Sequence, residues 1–492
     1  MTISYLLLKL LLFFPLIGSF FLLCLSAHNK LLLKQLTLSF ASIIFNLTLV
    51  LWLFFDKSRG SFQYVSKITW LPFFNLNFNV GVDGISLFFL ILSTFLIFLC
   101  LLASWSTITL DVKYYLIFFL ILEFFLVGVF CALDLLIFYI FFECVLIPMF
   151  FIIGLWGSRE RKIRAAYYFF FFTLFGSVLM LLALIYIYFQ TGTTNFEILL
   201  TVRFTQNEQL VLWIAFFLSF ASKVPMIPFH VWLPEAHVEA TTTGSVILAG
   251  ILLKLGTYGI LRFLFPLFPF ACSYYAPLVF SLAVVGVLYS SFTAIRQSDF
   301  KRIIAYTSIA HMNLVIVGLF SFHMVALEGA ILQSISHGFV SSALFLLIGV
   351  VYDRFHTRII KYFGGLVHMM PLFVFLFLFF TLANIGFPGT SSFIGEFLIL
   401  IGLFNVNIPV TFLSSISMIL GGCYSLWLFN RVAYGNLKTQ YLTEFYFDLS
   451  SREFYSIIPL FFCTFFFGLY PEVFLDYIHL SVQLTYEYLR NF

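Results

Sequence analysis

Charge is what this sequence lacks most. Charged residues make up 9% of the 492 against 62% hydrophobic, and the mean hydropathy is +1.09. A chain long enough for two or three soluble domains therefore has too little polar surface to dissolve them. Cysteine is also scarce: the seven, at 24, 100, 131, 144, 272, 423 and 463, form no C-x-x-C pair and no cluster. That leaves an iron–sulfur site, a zinc site and a disulfide framework without ligands, and apolar packing is their expected role. No glycine-rich dinucleotide loop follows a strand pattern. The net charge of +4 is small for this length and offers no basic surface for nucleic acid. No Arg/Ser-rich transit segment opens the chain, and the first apolar run, near 4–25, is longer than a signal core and ends in His28-Asn29-Lys30 without a small-residue cleavage site. It reads as a retained span, in a protein inserted by the compartment that made it. Phenylalanine is unusually frequent, 72 in all, and is expected as lipid-facing filler rather than an aromatic ligand path.

Fourteen apolar runs fall near 4–26, 36–55, 85–104, 114–132, 134–156, 166–189, 209–226, 243–264, 276–295, 303–320, 325–351, 370–388, 409–430 and 454–470. About 20 apolar residues cross a roughly 30 Å hydrocarbon core as a helix, so the expected fold is an all-α integral membrane protein of about fourteen transmembrane helices. Basic residues collect on the side where a membrane protein is made. Loops after odd-numbered spans hold Lys30, Lys34, Lys113, Arg159, Arg161, Lys162, Arg164, Arg296, Lys301, Arg302, Arg354, Arg358, Lys361, Arg431, Lys438 and Arg452, sixteen in all. Even-numbered loops and the C-terminal tail hold six: Lys57, Arg59, Lys67, Arg203, Arg262 and Arg490. The bias puts both termini on the opposite, positive-potential side. The other three of the 25 basic residues, Lys9, Lys223 and Lys254, lie inside apolar runs.

Two spans are interrupted. The seventh runs into Lys223-Val224-Pro225-Met226-Ile227-Pro228, and the twelfth into Gly386-Phe387-Pro388-Gly389-Thr390-Ser391-Ser392 before an apolar stretch resumes. Proline lacks an N–H and frees the carbonyl four residues back, that of Ala221 for Pro225, which lipid tolerates only where neighbours or water satisfy it. Breaks in matching positions of two halves mark an inverted-repeat transporter. Spans four to eight and nine to thirteen would be the units, and because five is odd the second copy sits upside down. The expected division is 1–113 for the first three spans, 114–264 and 276–430 for the two five-helix repeats, and 431–492 for the last span and tail.

A charge at mid-helix depth costs on the order of 2.5–3.5 kcal/mol even on a lenient insertion scale, so each needs a reason. Glu143, well inside the fifth span, is either a carboxyl held neutral beside backbone or, the reading adopted here, the partner of a buried cation. Lys223 stands at the seventh-span break. Burial and a nearby carboxylate pull a lysine's proton affinity in opposite senses, so a Glu143–Lys223 pair would hold a proton when closed and release it when open. Lys254 lies at the centre of the eighth span between Gly250 and Gly256; a snorkelling lysine is the alternative, but from mid-span its side chain hardly reaches the interface, and it reads as functional. Glu396 follows the second break and would occupy in the second unit the place Lys223 holds in the first; the alternative is an acid favoured by the helix dipole. His311 and His337 are each compatible with a satisfied core histidine, but together, between Lys254 and Glu396 in chain order, they read as a relay, since histidine titrates near neutrality. Glu123 and His230 are secondary candidates. Asp83, Glu235, His237, Glu239 and Glu328 lie near span ends and are expected to be structural.

With those residues placed, the chain resembles the antiporter-like membrane subunits of respiratory NADH–ubiquinone oxidoreductase (complex I), a family also similar to Mrp-type sodium/proton antiporter subunits. The likeness is carried by Phe141-Phe142-Glu143 with Ile147-Pro148, by Lys223-Val224-Pro225 through Leu233-Pro234-Glu235-Ala236-His237-Val238-Glu239-Ala240, and by Leu252-Leu253-Lys254-Leu255-Gly256. Arg296-Gln297 with Asp299 and Lys301, Ile304 through Met312, and Ala330 through Ser342 extend it over about residues 80–430. The resemblance implies that Glu143 and Lys223 form the pair of an input half-channel, that Lys254 is the central proton carrier, and that Glu396 serves the output half-channel. It places His311 and His337 on the hydrated axis between them. An acid rather than a lysine on the twelfth helix, and a chain ending soon after span fourteen, set it apart from the family's chains 2 and 5, which are implied as neighbours in the membrane arm together with lipids including cardiolipin. The implied activity is that of an organelle-encoded subunit of an H+-translocating NADH:ubiquinone reductase in the mitochondrial inner membrane. The chain itself would carry no cofactor; NAD, FMN, iron–sulfur clusters and ubiquinone would lie in partner subunits. One departure is Thr241-Thr242-Thr243-Gly244, where many relatives have Ala-Pro before Gly-Ser. Two rival readings stand beside this one: a stand-alone cation/proton antiporter, which would exchange ions alone, and a passive scaffold, which would keep pumping with Lys254 replaced by methionine.

Overall fold

The computed structural model describes residues 2–438 and 447–490; residues 439–446 and 491–492, part of the expected segment 431–492, lie outside the described residues. Every expected apolar run is helical, because lipid offers the backbone no other partner than itself. Twelve are helices long and apolar enough to cross a bilayer: Leu7–Cys24, Lys30–Leu53, Gly84–Ala103, Val112–Cys131, Leu135–Trp156, Lys162–Thr191, Thr242–Leu267, Pro269–Arg296, Phe300–Phe320, Met324–Phe355, Ile408–Ala433 and Ser451–Leu469. The other two are the interrupted ones. Span 7 is two pieces, Gln206–Lys223 and Trp232–Glu239, and span 12 is Pro371–Ile385 followed by Ser391–Phe404.

Local chemistry sets these breaks. Span 7 opens on a capping box, in which Thr205 accepts from the Glu208 N–H and Glu208 accepts from the Thr205 N–H. The first half of span 12 stops at Gly386, whose φ of +79° suits glycine. The Gly386 N–H then donates to the Ala383 carbonyl and the Phe387 N–H to that of Leu382, both at 3.1 Å. The threonine triplet also has a local role. Thr241 caps the eighth span by accepting from the Gly244 N–H at 3.1 Å, and the Thr243 hydroxyl pairs with that of Tyr115 at 2.5 Å.

A β-hairpin and a C-terminal helix stand outside the fourteen runs. Strands β1 (Gln63–Leu71) and β2 (Leu76–Val82) pair antiparallel with Lys67 opposite Asn79 and Ile68 opposite Phe78, in the loop after the second span. The segment expected as a plain tail contains an amphipathic helix, Glu472–Arg490, that buries Phe474, Ile478 and Val482 at four-residue spacing. It crosses the start of the third span so closely that a Cβ on Gly84 would meet the Tyr477 carbonyl and the Ser481 hydroxyl. The Lys57–Asp476 ion pair at 2.8 Å and the His479–Glu328 contact at 2.7 Å lie along its outer edge.

The third, eighth and eleventh spans form the centre, the eighth and eleventh buried along their full crossing. Lipid-facing filler accounts for only part of the phenylalanine: the sixth span exposes Phe171, Phe175 and Phe189, but Phe138, Phe142, Phe216 and Phe220 are fully buried. Arg262, counted above with a loop, instead lies within the eighth span as a buried ion pair with Asp83.

Candidate proton path

Glu143 and Lys223 meet, as the reading of Glu143 as the partner of a buried cation expects. The Lys223 Nζ stands 3.9 Å from Glu143 Oε1, donates to the Phe142 carbonyl at 2.6 Å and sits 3.4 Å above the centre of the Phe142 ring. Lys223 supplies the ion-pair partner of the Glu143 carboxylate among the described residues. Lys223 is the last residue of its half-helix. The Ala221 carbonyl freed by Pro225 is not left to water: the Met226 N–H donates to it at 3.0 Å, and the Trp232 indole N–H donates to the Ser222 carbonyl at 2.8 Å. Protein groups thus close the break, and Lys223 stands at a helix end with no freed carbonyl beside it.

Lys254 is fully buried. Its helix piece, Leu253–Gly259, is flanked by two π turns, Leu248–Leu252 and Ile260–Leu264, wide turns that recur at functional sites. Across the first of them the Nζ reaches the Ala249 carbonyl at 2.6 Å, and it also meets His337 Nδ1 at 2.8 Å. The His337 ring lies 5.7 Å from that of His311, and His311 Nδ1 is 2.9 Å from Glu396 Oε1. Gln333, which the sequence did not single out although it opens the polar run ending at His337, donates to the same Glu396 oxygen at 2.9 Å. A small cavity beside Glu396 is lined by His311, Asn384, Ser417 and Tyr424.

Four of the six principal candidates therefore form one series, Lys254, His337, His311 and Glu396, and the other two form a pair. Among the described residues no hydrogen bond or ion pair joins Lys223 to Lys254; their helices instead touch through Gly256, where a Cβ would lie 2.9 Å from the Phe220 carbonyl. Glu396 is equivalent to Lys223 only at the level of the helix. Lys223 ends the first half of span 7, whereas Glu396 lies inside the second half of span 12. The secondary candidates stand apart: both oxygens of buried Glu123 are without a hydrogen-bond partner, and the His230 ring packs edge-on to Tyr289 at 5.5 Å. Of the span-end residues, Glu235 pairs with Arg302 at 2.9 Å, and His237 stacks on Phe345 at 4.7 Å. Among the described residues no three His, Cys, Asp or Glu side chains gather as metal ligands.

The family described as NADH:quinone oxidoreductase/Mrp antiporter, TM matches residues 132–426. The chain is 55% identical to NADH-ubiquinone oxidoreductase chain 4 of Chondrus crispus, over 95% of both chains. It is 56% identical to the chain 4 of Arabidopsis thaliana, over 95% of this chain and 94% of that one. A chain of respiratory complex I from Thermus thermophilus superposes with a TM-score of 0.88 at 29% identity, covering 98% of this chain and 99% of that one. A chain of the Mrp complex from Dietzia sp. shares the fold, with a TM-score of 0.85 at 18% identity over 98% of this chain and 52% of that one. With buried acids, lysines and histidines at the positions that carried the resemblance, the chain belongs to the NADH:quinone oxidoreductase/Mrp antiporter family, in its NADH-ubiquinone oxidoreductase chain 4 branch.

Proposed function

We propose that the chain is a proton-translocating membrane-arm subunit of a respiratory NADH:ubiquinone oxidoreductase, moving protons through buried Glu, Lys and His residues while partner subunits transfer electrons. The observation that carries this reading is the series Lys254–His337–His311–Glu396, four titratable side chains from four spans in successive contact inside an apolar interior. Isolated charges are costly there, whereas a run of donors and acceptors passes a proton without moving a bare ion. In this reading the Glu143–Lys223 pair loads a proton, Lys254 carries it, His337 and His311 relay it, and Glu396 delivers it. Glu123 and His230 are secondary, set off the main series.

The chain divides, in the same reading, into flanking segments 1–113 and 431–492 and two inverted five-helix units, 114–264 and 276–430. The repeated pairing supports it: Glu143 with Lys223 joins the second and fourth helices of one unit, and His311 with Glu396 joins the same two helices of the other. NAD, FMN, iron–sulfur clusters and ubiquinone belong to partner subunits. Antiporter-like chains 2 and 5 are the neighbours, cardiolipin is among the surrounding lipids, and the membrane is the mitochondrial inner one. The chain is organelle-encoded, with both termini on the intermembrane-space side, as the basic-residue bias favours. Lys254→Met tests the function. Proton uptake per assembled complex should be lost while NADH oxidation by an artificial acceptor persists; undiminished pumping would return the chain to a scaffold, and ion exchange by the purified chain would favour a stand-alone antiporter.

A further inference from the structure

We propose that Arg262 is a positioning residue for Lys254: paired with Asp83, it fastens the second π turn of the eighth span and so fixes the reach of Lys254 toward His337. The inference rests on the reading of Lys254 as the carrier. A π turn holds one more residue than an α turn, so a helix can exchange the two by a one-residue slip, which rotates the segment on one side of the joint relative to the other by about 100° and shifts it by about 1.5 Å. The piece Leu253–Gly259 has such a joint at each end. At the upstream joint the only lock from Lys254 itself is its bond to the Ala249 carbonyl.

The downstream joint is locked from outside. The Arg262 guanidinium is ion-paired with Asp83 and lies 4.8 Å from the Phe62 ring and 5.5 Å from that of Tyr258. Its Nε donates to the Tyr258 hydroxyl at 3.3 Å, and that hydroxyl donates to the Phe130 carbonyl at 3.0 Å. Asp83 is itself held as the cap of the third span, accepting from the Ser86 N–H at 2.9 Å. Three elements therefore hold one arginine: the third span, the fourth span and the loop before β1. Gly256 and Gly259 press the eighth span against Phe220 and Val224, at the helix end that bears Lys223. A slip at this joint would turn Lys254 away from His337, a contact of 2.8 Å, and push on the neighbouring helix end. A fork-shaped cation between a carboxylate and two rings suits this fixing better than lysine, because its geometry is rigid.

The test compares Arg262→Gln, Arg262→Lys and Asp83→Asn in the complete complex, with Lys254→Met alongside. Proton-coupled turnover per assembled complex should fall about tenfold or more in R262Q and D83N, as for a misplaced reacting group, and its pH profile should shift; R262K should recover part of both. Unchanged turnover and pH profile per assembled complex, with only the yield of assembly reduced, would overturn the proposal and leave Arg262 a structural tie. If R262Q does not assemble, R262K and D83N carry the same comparison. Normal pumping by K254M would remove the premise instead, so the two failures are told apart.

Discussion

Replacing Glu143 by glutamine removes a carboxylate 3.9 Å from the Lys223 ammonium while leaving side-chain shape nearly unchanged. Both side chains are shielded, 15% and 4% exposed. At that separation and an effective dielectric constant of about 20, the coupling is about 4 kcal/mol, or about three powers of ten in the occupancy of one site when the other changes charge. The other contacts of Lys223, the Phe142 carbonyl and ring, carry no net charge and persist, so the substitution isolates the carboxylate. Proton uptake into vesicles, measured by dye quenching and normalised to assembled complex on native gels, should fall at least about tenfold. NADH oxidation by an artificial acceptor should not change. Glu143→Asp withdraws the carboxylate by one methylene, opening the gap to about 5 Å and leaving about 3 kcal/mol, so it should pump at an intermediate rate. Parental pumping by the glutamine variant with normal incorporation would refute the switch. An aspartate variant as inactive as the glutamine one would refute electrostatic coupling as its basis.

His337→Phe keeps the ring and loses the nitrogen 2.8 Å from Lys254; proton uptake per assembled complex should drop about tenfold or more, and an unchanged rate would break the relay. Thr243→Val removes the 2.5 Å partner of the buried Tyr115 hydroxyl, which keeps Thr241 and Ser104 within reach, a cost of about 1 kcal/mol, read as earlier thermal loss of the subunit with turnover per complex intact. Gly84→Ala drives a Cβ into the Tyr477 carbonyl and the Ser481 hydroxyl, which should cost about 1–3 kcal/mol and speed hydrogen exchange across Glu472–Arg490; unchanged exchange would show that the surface helix docks elsewhere.

The two breaks and the buried charges were legible because lipid penalises them: a proline or an ammonium in an apolar run has few permissible explanations. The β-hairpin also left a signal in Tyr64, Val65, Ile68, Thr69 and Trp70, β-formers, which the search for long apolar runs passed over. The Glu472–Arg490 helix was missed for a related reason, since its apolar residues recur on one face without forming a run. The π turns beside Lys254 left no residue-level mark, because the same apolar residues suit an α turn. Gln333 was hidden among polar neighbours until the twelfth span brought Glu396 to it.

By itself the sequence determined that this chain lives in lipid as a stack of helices, which of them are broken, and which titratable groups lie in their interior, because each of these follows from transfer free energy along a single segment. Tertiary structure alone decided that His337 meets Lys254 while His311 meets Glu396, that the helices of Lys223 and Lys254 touch at Gly256, and that Arg262 is a buried clamp. Those are relations between helices far apart in the chain, set by how their side chains interlock, and no single segment encodes them.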